Sequence, residues 1–289
     1  MVLSTAKFLD VGGIRTRYFE QGSGEPLVLL HGSNFGADLS ADCAINWCRN
    51  FQGLAEFSHV VALDRLGQGL TDNPKRLEDY TMDAVAAHAA AFLRSLKLPP
   101  VHLVGHSRGG YVAARMTLLH PELIKTCIIV DSLTLAPGAG NMVAMMAGIP
   151  EPRLTKESQR WVFSRYSYST DHIDDEWLDE VVAVAATPKY REAVEMVQLS
   201  PFDSHLAKQK PETLAILGER GIGKPTLIVW SVNDPTATID QGYALYKLIA
   251  GAEPRSQMHI FNRSGHFTYR EHPEEFNQLL HGWIAMNHA

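Results

Sequence analysis

The sequence predicts an α/β fold, a mostly parallel sheet flanked by helices, and three observations carry that expectation. Short runs rich in Val, Ile and Leu alternate with longer stretches of helical period. Turn residues close each apolar run, as befits strands buried on both faces. One such run passes straight into a glycine-flanked serine and then into a helical pattern, "VHLVGHSRGGYVAARM" at residues 101–116.

Along the chain, "AKFLDVGGIRTRYFEQGSGE" reads as an edge hairpin turning at Gly12-Gly13, because adjacent glycines supply the positive φ of a tight turn. Buried strands follow at Pro26–His31, His59–Asp64, Val101–His106, Cys127–Asp131, Pro225–Ser231 and Gln257–Phe261, and with the hairpin they make an eight-stranded sheet. Helices are expected at Ile45–Glu56, Thr81–Leu96, Gly109–His120, Ile239–Ile249 and Pro273–Met286. In the last, Phe276, Leu279, Leu280, Trp283 and Ile284 share one face that should cover the sheet. Between Ser132 and Pro211 the alternation gives way to a helical stretch bearing aromatics and a Met cluster, "NMVAMM", which reads as packing or as an adaptable pocket lining. The expected organisation is a core of residues 1–132 and 211–289 with a helical cap, 133–210, inserted into it.

A net charge of −6 without any run of like charges offers no footprint for nucleic acid or an anionic membrane, which leaves a small molecule as the expected partner. Cys43, Cys48 and Cys127 match neither a paired disulfide framework nor a metal motif and read as free thiols. The N-terminal residues lack a basic segment followed by an apolar one, and no 18-residue apolar run occurs, so a cytoplasmic protein is expected. The oligomeric state stays open, a homo-oligomer included.

Gly105-His106-Ser107-Arg108-Gly109 fits Gly-x-Ser-x-Gly between a strand and a helix, the setting of a nucleophile elbow. Such a turn strains the serine backbone, and the glycines remove Cβ atoms that would collide with sheet and helix. The serine needs a base and an acid, which in this architecture follow it in the order acid, then histidine. Asp234 closes the strand at Pro225–Ser231 and His266 the next, both in loops where such sheets bind ligands. Asp240 is a reserve acid; His102, His120, His272 and His281 fall in a strand or on helices and read as structural or solvated. Two backbone donors should face the developing oxyanion: the amide of Arg108, and that of Ser33 or Asn34 in "HGSNFGA". This chemistry asks for no cofactor and no metal.

With elbow, acid and histidine in this order, the chain resembles the α/β-hydrolase superfamily over essentially its whole length. Within it the chain is most similar to the meta-cleavage product hydrolases, serine enzymes that cut a carbon–carbon bond in 2-hydroxy-6-oxo-hexa-2,4-dienoates from aromatic ring degradation. "LLHGSNFGA", "NWCRN", "VVALDRLGQGLTDNP", "VHLVGHSRGGYVA" and "SGHFTYREHPEEFN" carry that likeness. The resemblance implies a triad of Ser107, Asp234 and His266, oxyanion amides at Ser33 and Arg108, and a polar contact from Asn46. It further implies an anionic, apolar or aromatic substrate, contacted by Asn34, His106, Phe267 and the cap residues Trp161 and Arg165. Several positions depart from the family pattern. Ser33-Asn34-Phe35 replaces a glycine-rich loop, His106 an Asn, Phe267 a Trp, and Val181 stands where the family carries a carboxylate-binding arginine; Arg165 or Arg191 would then substitute. An esterase or lactonase with the same triad is the alternative, since fold and triad do not fix the bond cleaved. A receptor that keeps the pocket without turnover is the rival of a different class, and an intact Ser, Asp and His set speaks against it.

Overall fold

The computed structural model describes residues 3–140 and 142–288, without the side chains of Met142 and Val143, so part of the Met cluster lies outside the described residues. Eight strands form one sheet: β1 (Lys7–Val11), β2 (Ile14–Gln21), β3 (Glu25–Leu30), β4 (Ser58–Leu63), β5 (Val101–His106), β6 (Ile124–Val130), β7 (Thr226–Ser231) and β8 (Ser256–Phe261). Their order is β1-β2-β4-β3-β5-β6-β7-β8. β1 and β2 are antiparallel, and β2 is antiparallel to β4; all other neighbours are parallel. The β1–β2 turn holds Gly12 at φ 62° and Gly13 at φ 82°, as the sequence requires of a two-residue loop.

Alternation along the parallel strands builds an apolar layer on each face. Leu27 and Leu29 of β3 point to one side, with α1 (Cys48–Ala55) and, after β8, the last helix; Val28 and Leu30 point to the other, with α2 (Met82–Leu96) and α3 (Arg108–Leu119). Both faces are thereby covered, as a parallel sheet demands. The segment expected to be helical from Ile45 opens instead with a 3-10 turn, Ala44–Trp47, before α1.

Between β6 and β7 run α4 (Met142–Met145), α5 (Lys156–Tyr166), α6 (Asp175–Ala185), α7 (Pro188–Leu199) and α8 (Phe202–Arg220). Thr155, Asp174 and Thr187 begin α5, α6 and α7, each side chain accepting a first-turn amide. α8 runs unbroken across residues 210 and 211, with Pro211 inside it. The Tyr190 hydroxyl donates to the carbonyls of Ala37 (2.7 Å) and Ser40 (2.9 Å), which fastens α7 over the loop after β3. α9 (Ile239–Ala250), α10 (Thr268–Glu271) and α11 (Pro273–Met286) complete the chain. Phe276, Leu280, Trp283 and Ile284 of α11 are buried against the sheet, and Leu279 is half-buried beside them.

Candidate active site

β5 lies at the middle of the sheet and delivers Ser107 at its carboxyl end. The Ser107 backbone takes φ 53° and ψ −122°, a conformation that costs an ordinary residue about 1–3 kcal/mol. Neighbouring glycines make the turn possible. A Cβ at Gly105 would overlap the Gly109 carbonyl, and one at Gly109 would sit 2.5 Å from the His31 oxygen and 2.6 Å from that of Leu30. The strand hydrogen bonds continue into the turn, with Ser107 N donating to Val130 O at 2.8 Å.

Asp234 leaves β7 in a tight loop that turns amides onto its carboxylate. Oδ1 accepts from Thr236 N (2.7 Å), Thr236 Oγ1 (2.7 Å) and Ala237 N (3.0 Å), so Oδ2 is left for His266 Nδ1 at 2.5 Å. A carboxylate accepts, so Nδ1 carries the proton and Nε2 is free to act as a base. The main chain of His266 is anchored as well: its N–H donates to Tyr166 O of α5 at 2.8 Å, and the Tyr166 ring stacks on the imidazole at 5.2 Å between centroids. Ser107 and His266 line a single cavity of about 450 Å³ between the sheet and the inserted helices.

Asn34, His106, Phe267 and the loop Gly32–Ser33 line the same cavity. His106 Nε2 donates to the His266 carbonyl at 2.7 Å, so its Nδ1 is the bare nitrogen, and burial holds the ring neutral, well below the ordinary histidine pKa. Phe267 packs edge-on to the rings of Phe163, Tyr166 and Trp177, and this closes one wall.

Ser33 adopts φ 64°, and the reason lies behind it. The Gly32 carbonyl accepts three donors: His31 Nδ1 (3.0 Å), Arg65 Nη2 (2.5 Å) and Gln68 Nε2 (3.2 Å). Arg65 Nη2 also binds the Ser33 carbonyl at 2.6 Å. In a trans peptide C=O and N–H point opposite ways, so fixing these two carbonyls fixes the amides of Ser33 and Asn34 on the far side. Hydrogen bonds to a carbonyl also polarise the N–H of its own peptide. Burial and the nearby Arg108 act against the Arg65 charge, while Asp42 supports it.

Three residues expected at the substrate do not line the cavity. Asn46 is fully buried one layer back, donating from Nδ2 to Asp42 Oδ1 (2.6 Å) and accepting from Trp177 Nε1 (3.1 Å), so both ends of its amide are engaged. Trp161 packs against the apolar core of the inserted helices, with Arg165 over its ring at 5.6 Å. Arg165 directs Nε toward Met145 O at 3.4 Å. Val181 is likewise buried among apolar side chains, and Arg191 folds back on Ala186 O.

Sequence reasoning missed Asp42, Arg65 and Thr236. Asp42 lines the cavity from the loop after β3, held by Ser40 Oγ (2.9 Å) and Asn46, and burial raises its pKa. The one signal in the sequence is that residues 37–45, "ADLSADCAI", look longer than the usual loop of the resembled family.

The geometry has counterparts among known proteins. The alpha/beta hydrolase family matches residues 27–279. The 2-hydroxy-6-oxo-6-(2'-aminophenyl)hexa-2,4-dienoic acid hydrolase of Metapseudomonas resinovorans is 27% identical over 274 residues, covering 93% of this chain and 87% of that protein. The 2-hydroxy-6-oxononadienedioate/2-hydroxy-6-oxononatrienedioate hydrolase of Paraburkholderia xenovorans is 29% identical over 297 residues, with 98% and 96% covered. Among solved structures, a serine hydrolase involved in carbazole degradation, CarC, superposes with a TM-score of 0.78 at 26% identity, covering 98% of this chain and 99% of that one. A sheet of this order, an elbow at its centre and a family match along most of its length leave one conclusion: the chain belongs to the alpha/beta hydrolase family.

Proposed function

We propose that the protein is a serine hydrolase that cleaves the C5–C6 bond of a 2-hydroxy-6-oxo-hexa-2,4-dienoate. The observation that carries this reading is Ser107 and an Asp234-oriented His266 on one cavity, in a chain similar along its length to hydrolases named for such substrates. The cavity of about 450 Å³ suits a small organic acid with a short or aromatic C6 substituent. Residues 133–210 act as the cap over it, and 1–132 with 211–289 as the core.

In this mechanism His266 Nε2 moves the proton that ketonises the dienol. Ser107 Oγ then loses its proton to His266 and attacks the C6 carbonyl, whose oxygen takes the negative charge against the amides of Arg108 and Ser33. The C5–C6 bond breaks with its electrons on C5, where the dienoate stabilises them and His266 returns a proton. Water, deprotonated by His266, hydrolyses the acyl-enzyme to a carboxylic acid and frees Ser107. Asp234 keeps Nδ1 protonated throughout and steadies the imidazolium.

Stopped-flow absorbance with 2-hydroxy-6-oxo-6-phenylhexa-2,4-dienoate, run beside p-nitrophenyl butyrate, tests the proposal. Rapid loss of the dienolate band is expected, with Ser107→Ala slower by at least about 1,000-fold. Turnover of the ester alone would replace carbon–carbon cleavage by the esterase or lactonase reading.

A further inference from the structure

Arg108 is the lone Lys or Arg among the described residues that line the cavity, and it sits beside Ser107 in the first turn of α3. A cation there opposes the helix dipole, so its position has to be stabilised by something else. The protein supplies little. Among the described residues Nη1 is buried without a hydrogen-bond partner, and none forms an ion pair with the guanidinium. The guanidinium carbon lies 5.2 Å over the Phe202 ring of α8, which fixes the group from behind. Asp203 and Tyr166 act on it electrostatically, but Asp203 makes no ion pair with it.

The other charges at the cavity wall do not offset this cation. Asp38 is taken up by Arg153, and Asp42 is buried beneath Ser40 and Asn46, its pKa raised. Arg65, fully buried behind Ser33, adds a second positive charge, close enough to Arg108 for that neighbour to disfavour its protonation. The cavity therefore has a cationic corner next to the nucleophile. Desolvated guanidinium donors find their best partner in a carboxylate, which accepts two of them in parallel.

We propose that Arg108 is the carboxylate-recognition residue of this pocket. Its ligand class is an acyl compound that carries its own carboxylate, held on the side of the cavity facing Phe202 of α8. α6 and Val181 take no part in that recognition. The inference rests on the hydrolase reading above for its substrate but not for its test, which needs no turnover.

Isothermal titration with benzoate and with benzamide compares two probes of one shape, one charged and one neutral. The expected result for the parent is benzoate binding about tenfold or more tighter than benzamide, as a charge-assisted fork allows. In Arg108→Gln the two affinities should converge to within about twofold, and Arg108→Lys should restore part of the preference. A preference that persists in Arg108→Gln, or none in the parent, overturns the assignment. Should Arg108→Gln fail to fold, Arg108→Lys decides alone: an unchanged benzoate preference overturns it, and a several-fold loss supports it. Failure of the dienoate and ester assays with the probe result intact would sink the hydrolase reading and leave the anion site standing.

Discussion

Asp234 shows how much one side chain does here. Its Oδ1 is saturated by the 236–237 loop and its Oδ2 faces His266 alone, so the acid is positioned before any substrate arrives. Asp234→Asn keeps the shape but presents an amide to Nδ1, which favours the wrong tautomer; kcat should fall by about 10⁴-fold with a smaller change in KM. Steady-state kinetics with the substrate that the parent turns over would show it. Arg65 acts one step further out. Arg65→Met removes the donor shared by the Gly32 and Ser33 carbonyls, and kcat should fall about 10–100-fold with KM nearly unchanged, because in the proposed mechanism the amides it orients act chiefly in the transition state. The strained turn at Ser107 and the pairing of Asp234 with His266 were legible in the sequence because residue type and chain order restrict both. Arg65, Asp42 and Asn46 were not. Their places depend on what packs against them, and an amide such as Asn46 reads the same in sequence whether it faces a ligand or a neighbouring Asp.

At the scale of elements, the elbow is the tightest constraint. Alanine at Gly109 brings its Cβ within 2.6 Å of two carbonyl oxygens of the β3 end, and neither backbone atom can yield without shifting the sheet. Gly109→Ala should therefore cost about 1–3 kcal/mol and displace Ser107, read as a lower urea midpoint together with lost activity. Strands and helices of the core were readable because period and capping agree there. Thr81 caps α2 by accepting from Ala84 N, and β5 spans the residues the apolar run predicts. The start of α1 was less readable. Cys43 offers no side-chain cap, and the chain enters through a 3-10 turn held by packing of Trp47 and Asn46.

At the scale of the whole molecule, burial sets a pH dependence. Asp131 ends β6 at φ 43°, fully buried, its carboxyl accepting from Ser231 N (2.8 Å) and Ser231 Oγ (2.9 Å). Burial first, and the charge of Asp234 second, raise its pKa well above the ordinary carboxylate value. The folded state thus holds this proton more tightly than the unfolded chain. Its contribution is complete below the unfolded pKa and is lost as pH rises through the folded one. Asp131→Asn keeps the bond from Ser231 N on its Oδ1, turns the other around with Nδ2 donating to Ser231 Oγ, and does not titrate, so its melting temperature should gain on the parent as pH rises, by about 2–4 °C for each kcal/mol involved. Calorimetry from pH 5 to 9 measures the difference; a constant offset would contradict it. The run of helices between β6 and β7 was visible in the sequence from the halt in alternation. Its docking was not, because it depends on single contacts such as Tyr190 on the Ala37 and Ser40 carbonyls.

A second contact ties the helices between β6 and β7 to the histidine loop. Gly265 packs so closely on residues 166–168 that a Cβ would stand 2.5 Å from Tyr166 O and 2.6 Å from Tyr168 N, and Glu271 clasps the amides of Gly265, Tyr168 and Ser169 together. The insertion and the histidine loop are here one joint. A chimera that borrows this segment from a relative must carry residues 166–169, 265 and 271 as a matched set, whereas its seam can be cut freely where no such clasp exists.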